Sequence, residues 1–491
     1  MNLIERIDRW GQVAPDRLAH ISGDRSLTYG ELSRRSNNLA AYLARTLPDD
    51  HSPVAVPGHK EPELLIAFLG AIKAGHPYIP IDAVTTPAQR LERIVATAAA
   101  PLTLTPERIA ALTETDAGSA PDPSWQVGPG DPFYIMFTSG STGDPKGVII
   151  TLGCVVSFLN WIITEQGFAE QTETFLNQVP FSFDLSIMDI YASLATGGTM
   201  FSVTHEDIDN PAQLYRTLAR SDATIWFSTP SFAQVCLVER SFSAEMLPRL
   251  RRLLFCGETL PPETAAALMD RFPEAEVWNT YGPTETTVAT TSIRIDREIL
   301  ARYHPLPIGY PKSDGRIVVL GEDGHPVADG ERGEIVIAGS NVSPGYVGRP
   351  DLTARAFFEL DGLRAYHTGD LGHYEGDLLF CEGRRDNQIK LHGHRIELGD
   401  VEANLQTLPG VRDGVIIPKL KDGRPDWLAA FVILAEQPDG SEFEVSRALR
   451  KQLGALLPAY MLPRKFYFLT TFPMTVNGKA DRKKLAGMIE G

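Results

Sequence analysis

Residues 138–147 read Thr138-Ser139-Gly140-Ser141-Thr142-Gly143-Asp144-Pro145-Lys146-Gly147. Few stretches restrict a chain so strongly. Three glycines allow tight backbone turns, four of the first five residues carry hydroxyls, and a lysine follows a proline. Such a loop can wrap backbone N–H groups, hydroxyls and one cation around a polyphosphate. The apolar, aromatic run at 133–137 predicts a strand leading in, and 147–150 predicts a strand leading out. The loop therefore joins two strands. It departs from the kinase-type phosphate loop, because Pro145 replaces the glycine before the lysine and Gly147 the hydroxyl after it. The alternative at this level is a flexible Gly/Ser linker.

A chain of 491 residues has room for two or three domains. A net charge of −16 argues against a nucleic-acid binder. The amphipathic start, apolar at 3, 4, 7 and 10, is interrupted by charges and predicts a helix rather than a signal peptide. No apolar run is long enough to predict a membrane span. Cys154, Cys236, Cys256 and Cys381 are too scattered for a metal motif or a disulfide scaffold. A cytoplasmic protein is expected.

Strand-like and helical segments alternate along most of the chain, which predicts α/β layers. Strands are expected at 77–81, 224–228, 252–256 and 277–280, the first demoted by its two prolines to an edge or irregular stretch. Helices are expected at 61–74, 211–220 and 261–272. From about 315 to 382 glycine-rich turns separate short strands and predict a β-rich subdomain. A boundary is expected near 386, giving a core of 1–385 and a small α+β domain of 386–491.

Four further motifs carry chemistry. Asn279-Thr280-Tyr281-Gly282-Pro283-Thr284-Glu285 turns sharply after a strand and gathers an aromatic ring, hydroxyls and a carboxylate. There Tyr281 can stack on a purine and Glu285 can hold Mg²⁺ beside phosphate oxygens; the alternative is an ordinary helix start. Tyr366-His367-Thr368-Gly369-Asp370 places a carboxylate at an expected turn after a strand, where Asp370 can accept both hydroxyls of a ribose, or simply serve the turn. Residues 383–398 combine Arg384, Asp386 and a glycine-containing hairpin before a helix. Near the end, Asn477-Gly478-Lys479 predicts a turn with a lysine at its tip, able to neutralise charge as a carboxylate attacks a phosphate.

In order and spacing these motifs resemble the adenylate-forming enzymes, which include acyl-CoA synthetases, luciferases and the adenylation domains of peptide synthetases. The resemblance covers essentially the whole chain. It implies a large N-terminal domain of two α/β subdomains and a β-rich subdomain, followed by a small mobile α+β domain hinged at Asp386. It implies two half-reactions: a carboxylate and Mg·ATP give an acyl-AMP and pyrophosphate, and a thiol then takes the acyl group. Carried onto this sequence, Thr138, Ser139, Gly140, Ser141, Thr142, Gly143 and Lys146 hold the pyrophosphate. Asn279, Thr280, Tyr281, Gly282, Thr284 and Asp370 surround the adenosine, Arg384 assists at the ribose, Glu285 takes Mg²⁺, and Lys479 is catalytic.

The segment Phe181-Ser182-Phe183-Asp184-Leu185-Ser186 resembles the amino-acid-activating branch, in which an aspartate at the place of Asp184 pairs with the substrate ammonium. The physical logic is a paired charge in a partly dry pocket; the alternative is a helix N-cap. The implied pocket residues are Leu185, Met188, Leu254, Cys256, Gly257, Thr280, Val288 and Ala289, an apolar lining suited to a small aliphatic side chain. This set, together with residues 73–80 and 228–232, resembles the D-alanine–D-alanyl carrier protein ligases. There a cysteine at the place of Cys256 crowds the substrate α-carbon and favours the D-enantiomer; taken alone, Cys256 is a buried structural cysteine. The expected reaction is ATP-dependent activation of D-alanine and transfer to the phosphopantetheine thiol of a separate small acidic carrier protein, serving teichoic acid D-alanylation. Rival readings are a stand-alone enzyme for L-alanine, glycine or L-proline, and an acyl-CoA synthetase.

Overall fold

The structure is a computed structural model, describing residues 2–47, 51–114, 121–140, 143–165, 167, 173–421, 423–436, 440–475 and 480–490. The chain divides into two compact units. The larger comprises 1–82, 97–136 and 147–385, and the smaller 83–96, 137–146 and 386–491. The smaller unit thus takes in two short segments besides the C-terminal region.

The larger unit is built on two mixed sheets with helices and a β-rich part. Its nine-stranded sheet runs, in spatial order, Tyr310–Pro311, Thr291–Ile295, Glu276–Tyr281, Arg252–Phe255, Ile225–Ser228, Thr174–Asn177, Thr199–Ser202, Leu18–Ser22 and Arg25–Thr28. The four strands from Glu276–Tyr281 to Thr174–Asn177 are parallel to one another. The two central ones, Ile225–Ser228 and Arg252–Phe255, have continuously buried interiors, as strands covered on both faces require. A six-stranded sheet carries the two strands on either side of the glycine loop, Pro132–Thr138 and Lys146–Thr151. One apolar cluster joins this sheet to the helices Tyr29–Thr46, Pro62–Lys73 and Ser186–Thr196. Gly315–Leu320, Gly333–Gly339, Phe357–Leu360, Leu363–Glu375 and Leu378–Arg384 form the β-rich sheet.

Two expectations change. The strand expected at an edge, observed as Tyr78–Asp82, is internal to the six-stranded sheet, between Pro132–Thr138 and Val54–Gly58. Pro77 falls just outside it, and Pro80 is tolerated because the strand pairs with Pro132–Thr138 only at Tyr78 and Tyr134, so no ladder bond on that side needs a proline N–H. The Thr368-Gly369-Asp370 motif lies inside a thirteen-residue strand, Leu363–Glu375, rather than at a turn after one. The pairing register of that strand shifts nearby on both sides, and Gly369 takes φ +71°. The strand therefore bends where the carboxylate is presented.

In the smaller unit the hairpin Gln388–Leu391/His394–Glu397 precedes the helix Leu398–Gln406. A three-stranded sheet of Val411–Lys421, Arg424–Leu434 and Lys465–Phe468 follows, with the helices Glu442–Leu453 and Arg482–Glu490. Apolar clusters built on Ile416 and Leu453, and on Phe431 and Leu485, make its core.

Candidate active site

The strand Glu276–Tyr281 ends in Gly282-Pro283, and only a three-residue 3-10 turn follows, Thr284–Thr286, with no side-chain cap. A helix start is therefore not what this motif builds. A Cβ on Gly282 would lie 2.6 Å from Cα of Ala289, so the backbones meet where no larger residue fits. Thr287 and Val288 both have positive φ, +59° and +70°. Two β-branched residues in that region are strained, and the strain is held by specific bonds. The Thr287 hydroxyl donates to the Asn341 carbonyl at 2.8 Å, and the Asn341 amide to the Thr286 carbonyl at 2.6 Å.

This turn brings the expected nucleotide residues together. The Tyr281 hydroxyl donates to Asp370 Oδ2 at 2.6 Å. Burial, then the charge of Asp370, pushes the tyrosine ionisation well up, so the hydroxyl stays a donor. Asp370 lies directly across the sheet from Arg384, whose guanidinium donates to Oδ1 at 2.5 Å. The carboxylate also sits one residue beyond Gly369, with its own N–H bonded to the Thr368 hydroxyl at 2.9 Å. Tyr281, Asp370 and Arg384, from three strands, thus form one nearly buried set, with side-chain exposures of 6% for Asp370 and 13% for Arg384. The Asn279 amide is committed to the Pro307 carbonyl at 2.8 Å. The carboxylate of Glu285 is fully buried and accepts from the Tyr346 hydroxyl at 2.8 Å. Tyr346 was absent from the sequence reading: 61 positions separate it from Glu285, and no local motif marks it.

Of the expected substrate residues, Leu185, Met188, Leu254, Cys256, Val288 and Ala289 are all buried, within the extended apolar core that also holds Tyr281. The Cys256 thiol donates to the carbonyl of strained Val288 at 3.7 Å, which fixes its direction. The Thr280 hydroxyl donates to the Phe255 carbonyl, beside Cys256, at 2.9 Å, and Gly257 turns the chain away with φ +88°. Asp184 is half-buried just before the helix Ser186–Thr196. It is not the N-cap of that helix, which is Leu185 with no side-chain capping bond. The helix N-terminus favours a carboxylate at this place regardless. Asp184 also raises the ionisation of buried Tyr134, after burial itself.

In the smaller unit, Gly140 and Gly143 shape the glycine loop. A Cβ on Gly140 would come within 2.1 Å of the Asp144 carbonyl oxygen. Gly143 takes φ +91°, and a Cβ there would lie 2.8 Å from Cβ of Ala403. The Ser139 hydroxyl donates to the Arg395 carbonyl and accepts from the Glu397 N–H, each at 3.1 Å. The Thr138 hydroxyl lies 3.5 Å from the Lys146 carbonyl. The Asn404 amide reaches the Gly143 carbonyl at 3.3 Å, and Arg90 pairs with buried Asp400 at 3.0 Å. Asp386 accepts from the Gln388 N–H at 3.1 Å. Ser141, Thr142 and Lys479 lie outside the described residues.

Comparison with known proteins identifies the family. The AMP-binding enzyme family matches residues 7–347, and the AMP-binding enzyme C-terminal domain matches 400–479. The chain is 48% identical to proteins named D-alanine–D-alanyl carrier protein ligase from Bacillus cereus (strain B4264) and Bacillus anthracis (strain CDC 684 / NRRL 3495), over 99% of each chain. The Vibrio cholerae adenylation domain AlmE, solved with glycyl-adenosine-5'-phosphate, superposes with a TM-score of 0.84 at 22% identity, covering 99% of this chain and 97% of that one. An artificially fused adenylation–PCP di-domain from Klebsiella oxytoca, NpsA-ThdA, gives 0.81 at 25% identity, covering 100% and 96%. Among the described residues no helix is long and apolar enough to cross a membrane. The chain belongs to the AMP-binding, adenylate-forming ligases and, within them, to the family of the D-alanine–D-alanyl carrier protein ligases.

Proposed function

We propose that this enzyme activates D-alanine with ATP and passes the alanyl group to the phosphopantetheine thiol of a separate acidic carrier protein. The observation that carries the reading is the identity with the D-alanine–D-alanyl carrier protein ligases, spread over 99% of both chains rather than confined to the ATP motifs. The apolar, buried character of Leu185, Met188, Leu254 and Val288 supports it, since none of these side chains offers a partner to a polar substrate side chain, and Asp184 supplies a charge that an α-ammonium needs.

In the first half-reaction a carboxylate oxygen of D-alanine attacks the α-phosphorus of ATP. The bond to the bridging oxygen breaks, and pyrophosphate leaves with that electron pair. Asp370 accepts the ribose hydroxyls, with Tyr281 and Arg384 holding its two oxygens in place. The glycine loop, with Thr138, Ser139, Thr142 and Lys146, takes the pyrophosphate, and Lys479 offsets charge at the attacking carboxylate. Mg²⁺ would neutralise phosphate charge, and the buried carboxylate of Glu285 is the group that would hold it, an oxygen donor suited to that ion. The Tyr346 hydroxyl fixes the direction of the Glu285 carboxylate. Cys256 narrows the face of the α-carbon on which an L-methyl group would lie. In the second half-reaction the carrier thiolate attacks the alanyl carbonyl, forming the thioester and releasing AMP. A cytoplasmic enzyme in teichoic acid D-alanylation, with 386–491 as a lid turning on Asp386, completes this proposal.

Amino-acid-dependent ATP–pyrophosphate exchange, followed by loading of a phosphopantetheinylated carrier, tests it. Exchange driven by D-alanine and thioester formation are expected. Exchange with no amino acid would remove the reading.

A further inference from the structure

Lys60 is a side chain that the reaction does not use and the sequence reading passed over. It lies between the strand Val54–Gly58 and the helix Pro62–Lys73, and it is 1% exposed. Its ammonium donates to three backbone carbonyls: Gln178 at 2.7 Å, Val203 at 2.7 Å and Asn177 at 3.2 Å. These oxygens stand at the ends of two neighbouring parallel strands, Thr174–Asn177 and Thr199–Ser202. An ammonium has three N–H donors and no acceptor, so all three are spent; a neutral amine would turn a lone pair onto a carbonyl. Burial depresses its ionisation, against the pull of Asp189, Asp82 and Asp207, and the three carbonyl acceptors, which only N–H donors satisfy, favour the charged form.

From Gln178 the chain runs directly to Asp184, tied at several points. The Asn177 amide donates to Val179 O at 3.2 Å and to Asp189 Oδ2 at 2.8 Å. The Ser186 hydroxyl reaches Phe183 O at 2.7 Å and Phe181 O at 3.3 Å, and the Phe183 N–H bonds to Pro180 O at 3.0 Å. Next to Lys60, His59 clamps the second strand end. Its Nε2 accepts from the His205 N–H at 3.2 Å, which puts its proton on Nδ1, facing Asp82 Oδ2 at 3.2 Å. The cluster of His59, Asp82 and His205 has the spacing of a cation site. That tautomer spends His59 Nδ1 on Asp82, so the trio serves as a clamp.

We propose that Lys60 is a positioning residue for substrate selection: its ammonium anchors the origin of residues 178–184 and so sets where the Asp184 carboxylate meets the substrate ammonium. The inference rests on the assignment of Asp184 above. Lys60→Met and Lys60→Arg are measured by ATP–pyrophosphate exchange, varying D-alanine and ATP separately. Lys60→Met is expected to raise the D-alanine KM at least tenfold with the ATP KM within twofold, and Lys60→Arg, which keeps a cation with several donors, to recover most of the loss. An unchanged D-alanine KM in Lys60→Met, or an equal rise in both KM values, overturns the inference. Should Lys60→Met not fold, Lys60→Gln is examined by amide hydrogen exchange at 178–186. Faster exchange confined to that segment is the expected result, and a uniform increase across the larger unit refutes it. Asp184→Asn, run in parallel, separates two failures. If it keeps a normal D-alanine KM, the Asp184 assignment falls and takes this inference with it. If it raises that KM while Lys60→Met does not, the Lys60 inference alone falls.

Discussion

Replacing Asp370 by Asn tests the nucleotide half of the site. Both carboxylate oxygens are engaged, one by Tyr281 at 2.6 Å and one by Arg384 at 2.5 Å. In the proposed complex the same two oxygens accept the ribose hydroxyls. An asparagine keeps one acceptor, which still serves Tyr281, and turns an NH2 group toward Arg384 and one ribose hydroxyl. One hydrogen bond to a charged group is thereby lost, about 2 kcal/mol, or roughly a thirtyfold rise in the ATP KM. Arg384 also loses its counter-charge in a poorly hydrated place, which costs about 3 kcal/mol of stability. The two effects are separable: exchange kinetics with ATP varied report the first, and denaturant unfolding the second. The KM for D-alanine is expected to stay within twofold. A folded Asp370→Asn enzyme with an unchanged ATP KM would mean that the carboxylate only ties Tyr281 to Arg384, and the ribose assignment would be wrong.

Cys256→Gly removes the thiol held against Val288 and is expected to lower the preference for D- over L-alanine about tenfold, a single steric contact being limited in what it can discriminate; an unchanged ratio in exchange assays would dismiss Cys256 as the stereochemical reader. Gly140→Ala drives a methyl group against the Asp144 carbonyl and should reduce exchange at least a hundredfold; near-normal exchange would show that the loop has another shape in the working enzyme. His20 is buried, and burial, then the charges of Lys60 and Arg25, lowers its ionisation to about 3. The unfolded chain takes up that proton below about pH 6.5 while the folded chain does not, so stability present above 6.5 is lost as pH falls toward 3, about 2 kcal/mol of it by pH 5. His20→Gln should remove that part of the acid loss in denaturant titrations; parallel curves for both proteins would refute the assignment.

Local chemistry made much of this protein legible in its sequence. The glycine loop between two strands, the Gly-Pro turn after Tyr281, and the helix opened at Pro262 by Pro261-Pro262 each depend on residues a few positions apart. The sequence alone puts the strand Tyr78–Asp82 at an edge, because a proline's cost depends on which neighbour needs its N–H, and that neighbour, Pro132–Thr138, lies far along the chain. The bend in Leu363–Glu375 looks like a turn in sequence, because a glycine with positive φ has the same local signature in both. What remained hidden was carried by distant partners. Tyr346 reaches Glu285 from 61 positions along the chain, and Lys60 reaches carbonyls at 177, 178 and 203, groups that every residue possesses and no motif can mark.

The most direct test of the central claim is amino-acid-dependent ATP–pyrophosphate exchange with D-alanine, L-alanine, glycine, D-serine and L-proline compared side by side. Strongest exchange with D-alanine is predicted, from Asp184 and Cys256 acting together. Strongest exchange with another amino acid would keep the adenylation chemistry and contradict the substrate; exchange with none would contradict amino-acid activation itself.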